Sequence, residues 1–124
     1  RKLIALKPDH AHAYNALGYS LADRKLRLDE AEALVRKGLA LTPDDPFILD
    51  SLGWGLYRRG NLDGALEQLQ KAFGLRADPE IAAHLGEVLW MLGRRDAAAR
   101  VWKDAAKANP DSSVLADVIK KFKP

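Results

Sequence analysis

Cysteine is absent from the 124 residues. That excludes disulfides, thiolate zinc sites and cysteine nucleophiles, and it fits any redox compartment. No apolar run approaches the ~20 residues that a membrane-spanning helix needs. No glycine-rich phosphate loop is present. Ser20, Ser51, Ser112 and Ser113 lack the Gly-x-Ser-x-Gly context of a nucleophile elbow. His10 and His12 have no cysteine, aspartate or third histidine at ligand spacing, and read as solvated or capping histidines. Asp9, Asp44 and Asp45 mark helix starts and linkers, a role that needs no acid–base chemistry. An enzyme, a metal site and a cofactor are therefore not expected. A strong charge imbalance is also missing. The net charge is +3, the isoelectric point is about 9.3, and acids and bases alternate along the chain as on an ordinary solvated surface.

What is present is a folded protein's 48 % apolar content, arranged with a helical period. From Pro46 to Arg59, Leu49, Leu52, Gly53 and Leu56 stand at i, i+3, i+4 and i+7, one stripe of a helix. Gly60-Asn61 is a turn signal that permits positive φ. Leu62, Leu66, Leu69 and Phe73 then form a second stripe. Two amphipathic helices joined by so short a turn lie antiparallel as a hairpin. One such hairpin cannot bury its apolar faces alone and needs neighbours.

The neighbours are copies. Leu17-Gly18, Leu52-Gly53 and Leu85-Gly86 recur at spacings of 35 and then 33 residues. Around them return Tyr14, Leu21, Ala31, Val35 and Pro43; then Leu49, Leu56, Ala65 and Leu69; then Ala82, Leu89, Ala98, Trp102 and Pro110. This period and pattern resemble the tetratricopeptide repeat (TPR) family over nearly the whole chain. The second copy has Ala77 in place of the closing proline. The first copy lacks the turn glycine, carries one extra residue in Lys25–Leu28, and has Gly38 where the others have Ala72 and Ala105.

The expected fold is all-α: a right-handed α-solenoid of three hairpins plus a C-terminal capping helix. Residues 1–10 read as the end of a preceding repeat helix and its linker. The three copies then occupy 11–45, 46–78 and 79–112, and the capping helix 113–124. Helices are expected over Ala11–Asp23, Asp29–Leu41, Pro46–Arg59, Leu62–Leu75, Pro79–Leu92, Asp96–Ala108 and Ser113–Phe122. The chain begins at Arg1 in mid-pattern and reads as a fragment, so a targeting segment can lie upstream.

The resemblance implies that the first helix of each hairpin lines a concave side and the second a convex side. The first helices carry a second stripe beside the packed one. It holds His12, Asn15, Tyr19 and Asp23; then Phe47, Asp50, Trp54, Tyr57 and Arg58; then Ala83, His84, Glu87, Trp90 and Met91. Amphipathic aromatics among a few polar groups are the composition of a recognition surface. The candidate partner-binding groove is therefore Asn15, Tyr19, Asp50, Trp54, Tyr57, Arg58, His84, Glu87 and Trp90, holding a peptide or helix of another protein. The competing reading has these aromatics packed on adjacent repeats or on the last helix.

A TPR subclass clamps a partner's C-terminal carboxylate with Lys, Asn and Arg. The corresponding sites here hold Asn15, Tyr19, Ser51, Glu80 and His84. Only Asn15 is of a suitable type and Glu80 repels an anion, so no such clamp is expected. Nucleic acid ranks below protein as a partner, because Asp23, Asp50, Glu80 and Glu87 on the inner face oppose phosphate. The function expected is a non-catalytic scaffold or adaptor. The alternatives are a structural end-cap, or a self-association module using the apolar N-terminal edge at Leu3, Ile4 and Leu6. The phrases from Asn15 to Arg24 and from Pro79 to Trp90 resemble the C-terminal repeats of proteobacterial envelope TPR proteins, often lipoproteins. That implies a periplasmic or outer-membrane-attached adaptor, for an envelope enzyme such as a protease; the cytoplasm is the alternative.

The repeated glycine is placed where the helices of a hairpin approach closest, with Leu69 and Trp102 filling the layer beside it. Gly53→Leu should therefore cost ~1–3 kcal/mol by overpacking, and Trp102→Ala ~3–5 kcal/mol by emptying the core, both read from denaturant unfolding.

Overall fold

The computed structural model describes residues 28–123. Six helices follow one another: α1 (Leu28–Leu41), α2 (Pro46–Arg58), α3 (Leu62–Leu75), α4 (Pro79–Met91), α5 (Arg95–Ala108) and α6 (Ser113–Phe122). The fold is all-α, and no strand occurs among the described residues. The helix expected over Ala11–Asp23, and with it Asn15, Tyr19 and the N-terminal apolar edge, lies outside the described residues.

Local chemistry explains the helix starts. Asp45 precedes α2, and its carboxylate accepts from the backbone N–H groups of Phe47 at 2.9 Å and Ile48 at 3.2 Å. Asp78 does the same for Glu80 at 2.9 Å and Ile81 at 3.3 Å at the start of α4. In both, proline occupies the first helical position, where its missing N–H leaves no bond unmade. Asn61 caps α3 through Gly64 N–H, and Ser112 caps α6 through Leu115 N–H. α5 starts at Arg95, one residue before the expected Asp96, with no side-chain cap.

The turns inside the hairpins use glycine for its backbone. Gly60 has φ +89° and Gly93 φ +85°, a region that a Cβ disfavours. Both turns close with paired backbone bonds: Gly60 N–H to Tyr57 O and Asn61 N–H to Leu56 O, then Gly93 N–H to Trp90 O and Arg94 N–H to Leu89 O. This wrapping ends α2 at Arg58 and α4 at Met91, one residue before the expected Arg59 and Leu92.

α2 packs on α3 and α4 on α5 as two hairpins, with α1 against α2, α3 against α4, and α6 against both α4 and α5. A Cβ built on Gly53 would lie 2.7 Å from Leu69 Cγ, and one on Gly86 would overlap the Trp102 indole. Leu69 and Trp102 are fully buried. Trp102 also donates from its indole to Ala83 O at 3.3 Å, so the largest fully buried side chain satisfies its one polar atom.

Stacking along the chain is unequal on the two sides. The first helices approach their successors closely, α2 with α4 and α4 with α6, whereas no Cα of α1 comes within 8 Å of α3, nor any of α3 within 8 Å of α5. A stack that is tighter along one row of helices curves toward that row. α2, α4 and α6 therefore line the concave side.

Gly86→Ala should lower stability by ~1–3 kcal/mol, because the new methyl group has to displace a fully packed tryptophan. Gly74→Ala is the control. Nothing lies within 4 Å of a Cβ there, so the helix gains ~0.5–1 kcal/mol from reduced chain entropy. Urea unfolding of the two variants should move in opposite directions.

Candidate functional site

The concave row brings together Trp54 and Tyr57 from α2, His84 and Glu87 from α4, and Val114, Asp117 and Lys121 from α6. Trp54, Ala83, His84, Glu87, Val114, Asp117, Val118 and Lys121 line a hollow of about 210 Å³. The positions follow from helix geometry: Trp54 and Tyr57 are three apart, His84 and Glu87 are three apart, and Val114, Asp117 and Lys121 stand at i, i+3 and i+7, so each set shares a face.

Beneath the hollow lies a buried ion pair. His84 Nδ1 is 2.8 Å from Asp50 Oδ1, and both residues are less than a tenth exposed. The bond joins α2 to α4, and so one hairpin to the next. Burial alone would push the imidazole pKa down. The hydrogen bond and charge of Asp50, reinforced by the charges of Glu80 and Glu87, outweigh it and hold His84 above its ordinary 6.5. Burial pushes Asp50 up as well. The His84 bond and charge oppose that rise, and the charge of Asp78 adds to it. The two shifts have different causes: Asp50 beside it holds the proton on His84, whereas burial itself raises Asp50.

The Trp54 ring stacks on His84 with centroids 4.2 Å apart and planes 23° apart, and Tyr57 tilts against Trp54 at 5.0 Å. Tyr57 donates its hydroxyl to Glu87 Oε2 at 2.8 Å, a second tie from α2 to α4. Burial, then the Glu87 hydrogen bond and charge, raise the Tyr57 pKa, while the nearby Arg58 charge opposes the rise. The Trp54 indole N–H is buried and has no acceptor among the described residues.

Trp54, Asp50 and His84 differ from their expected placement. The groove reading makes them open side chains, but Trp54 and His84 are each 8 % exposed and Asp50 5 %. The reason is the bond between α2 and α4, which draws these side chains into the seam between hairpins. Trp54 lines the hollow while nearly covered, and truncating it would empty packed space. Trp90 departs further. It stacks on Trp102 at 5.9 Å and meets Phe122 at a tilt at 5.5 Å, with the Arg95 guanidinium 4.7 Å over its ring, so it packs against the core of the last hairpin rather than in the hollow. Met91 is exposed beyond it. Val114, Asp117, Val118 and Lys121 were not among the expected site residues. The signal for them was available: Asn109-Pro110-Asp111 precedes the last helix just as Thr42-Pro43-Asp44 precedes α2, which marks α6 as one more first helix.

No group of three or more His, Cys, Asp or Glu side chains converges at metal-ligand range among the described residues. None of their helices is long and apolar enough to cross a membrane.

The tetratricopeptide repeat family model matches residues 1–46 and 51–113. The chain belongs to the tetratricopeptide repeat family. A TPR repeat-containing protein of Pseudomonas aeruginosa, PA4667, is 54 % identical over 87 residues, covering 70 % of this chain and 15 % of that protein. The match thus spans a small part of its curated relative. Among solved structures, TTC0263, a thermophilic TPR protein of Thermus thermophilus, superposes with a TM-score of 0.86 at 21 % identity, over 99 % of this chain and 69 % of that one. The first TPR domain of Spaghetti (RPAP3), bound to the HSP90 peptide SRMEEVD, superposes with a TM-score of 0.79 at 16 % identity, over 92 % of this chain and 93 % of that one. At these identities the structures establish the shared fold. TPR proteins of this build are protein–protein interaction scaffolds, generally without catalysis of their own.

The ion pair sets a pH dependence. The folded protein holds the His84 proton more tightly than the unfolded chain does. The stability this adds is fully present below 6.5 and drains away as pH rises through the higher folded-state value. The raised Asp50 value acts in the same direction. The stability gap between the parent chain and His84→Gln, from urea unfolding between about pH 5.5 and 8.5, should narrow steadily with rising pH.

Proposed function

We propose that these repeats act as an adaptor module that holds a segment of a partner protein in the concave groove, against the hollow between α2, α4 and α6. The observation that carries this reading is the hollow itself. It is concave, has an aromatic edge and two carboxylates, and is braced by two hydrogen bonds between hairpins, so it exists before a partner arrives. A preformed site spares the partner the cost of ordering it. The RPAP3 domain, with the same fold, is bound to a peptide. That peptide, SRMEEVD, is acidic, whereas the groove here presents Glu87 and Asp117. The proposed partner is therefore of a different charge class.

A second reading is favoured by one further feature. On the opposite side, Ala99, Trp102, Lys103, Ala106, Lys107 and Ile119 line a hollow of about 490 Å³ between α5 and α6. This is where the second helix of a following hairpin would pack, so the module can also serve as a stacking end of a longer solenoid, or as a self-association surface.

Site-specific photo-crosslinking in the cell of origin separates the two. A crosslinking residue at Asp117 should trap one discrete partner protein, and one at Gln70, exposed on α3, should trap none. Equal trapping at both sites, or none at Asp117, overturns the groove reading. Trapping of a second copy at Lys103 alone supports the stacking reading.

A further inference from the structure

We infer that the hollow between α2, α4 and α6 is a receptor for a cationic side chain, so that the partner segment docks through an arginine or lysine. The inference deepens the adaptor reading and rests on it.

Three observations converge. The first is shape: about 210 Å³ between three helices accommodates one long side chain and leaves no room for a second folded element. The second is charge. Glu87 and Asp117 face the hollow against one lysine, Lys121, whose Nζ lies 5.1 Å over the Phe122 ring. His84 and Asp50 compensate each other beneath it. Glu80 acts on His84 through its charge and Asp78 on Asp50, and both add negative potential. Arg58 lies near enough to act on Tyr57 through its charge, so Glu87, Asp117, Glu80 and Asp78 stand against Lys121 and Arg58, and the charges around this site are acidic in excess although the whole chain carries +3. An arriving carboxylate meets like charge, whereas a guanidinium or ammonium finds counter-charge in a partly desolvated recess, where it counts for more than at an open surface. The third is the wall. The Trp54 and His84 rings and the apolar Ala83, Val114 and Val118 suit the methylene stem of lysine or arginine, with the charged head left at the carboxylates.

Glu87 is also held in place. The Tyr57 hydroxyl occupies one of its carboxylate oxygens, Oε2, which orients the group and leaves acceptor capacity on both oxygens for a cation. Asp117 is exposed on α6 and supplies charge without being part of the packing.

The test uses the isotope-labelled protein and four pools of acetylated, amidated peptides, random except for a central Arg, Lys, Glu or Leu. Dissociation constants come from shifts of the Trp54 indole cross-peak at low ionic strength. The Arg and Lys pools should bind about tenfold tighter than the Glu pool, and Asp117→Lys should remove most of that preference. Glu87→Gln, which keeps an acceptor for Tyr57, should reduce it in the same direction. Because Asp117 is exposed, its variant reports on charge even if the Glu87 variant loosens the fold. Equal or tighter binding of the Glu or Leu pool at the Trp54 peak overturns the cation assignment and leaves the groove reading standing. Shifts confined to Ala99 and Ile119 overturn both. If no pool moves the Trp54 peak, the cation receptor is overturned, and the crosslinking result alone decides the groove.

Discussion

Each hairpin depends on a glycine in one helix lying directly under a large side chain of the other. Gly53 lies under Leu69 and Gly86 under Trp102, so close that a single added carbon finds its space already filled. That proximity sets the distance between the paired helices. It buries Trp102 completely and lets its indole reach Ala83 O. The flanking alanines Ala65, Ala72, Ala98 and Ala105 are small for the same reason, and all are buried. Dense packing of this kind is intolerant of volume change, which is why the motif returns at nearly constant spacing.

Stacking hairpins onto one another is a different problem, and this chain solves it partly with polar groups. Asp50 to His84 and Tyr57 to Glu87 both run from α2 to α4. A buried ion pair is an expensive way to join two surfaces, since desolvation offsets much of its attraction. What it adds is registry, because the two hairpins meet in the one position where both bonds close. The same bonds brace the hollow above them. Architecture and candidate site thus share residues.

The repeat, the hairpins and most helix boundaries were legible along the chain, because each depends on neighbours in sequence: Asp-Pro at a helix start, glycine at a turn, leucine at i, i+3 and i+7. The face of the groove was legible too. Which side chains on that face stand open was not. Trp54 and Trp90 look alike in sequence, each near the middle or end of a first helix, yet one lies at the seam between α2 and α4 and the other sits in the last hairpin under Arg95 and Phe122. The contribution of α6 is hidden by its place at the end of the chain, where a short amphipathic helix reads as a cap rather than as one more first helix.

The sequence by itself determined the family, the hairpin unit and the tight glycine contacts, since these follow from local backbone preference and from a spacing that repeats. Tertiary structure alone decided that Asp50 finds His84, residues 34 positions apart, that Trp54 is covered, and that Glu87 and Asp117 meet at one hollow. Those outcomes depend on the angle at which one hairpin leans on the next. That angle is set by the summed packing of several helices and leaves no periodic trace in the order of residues.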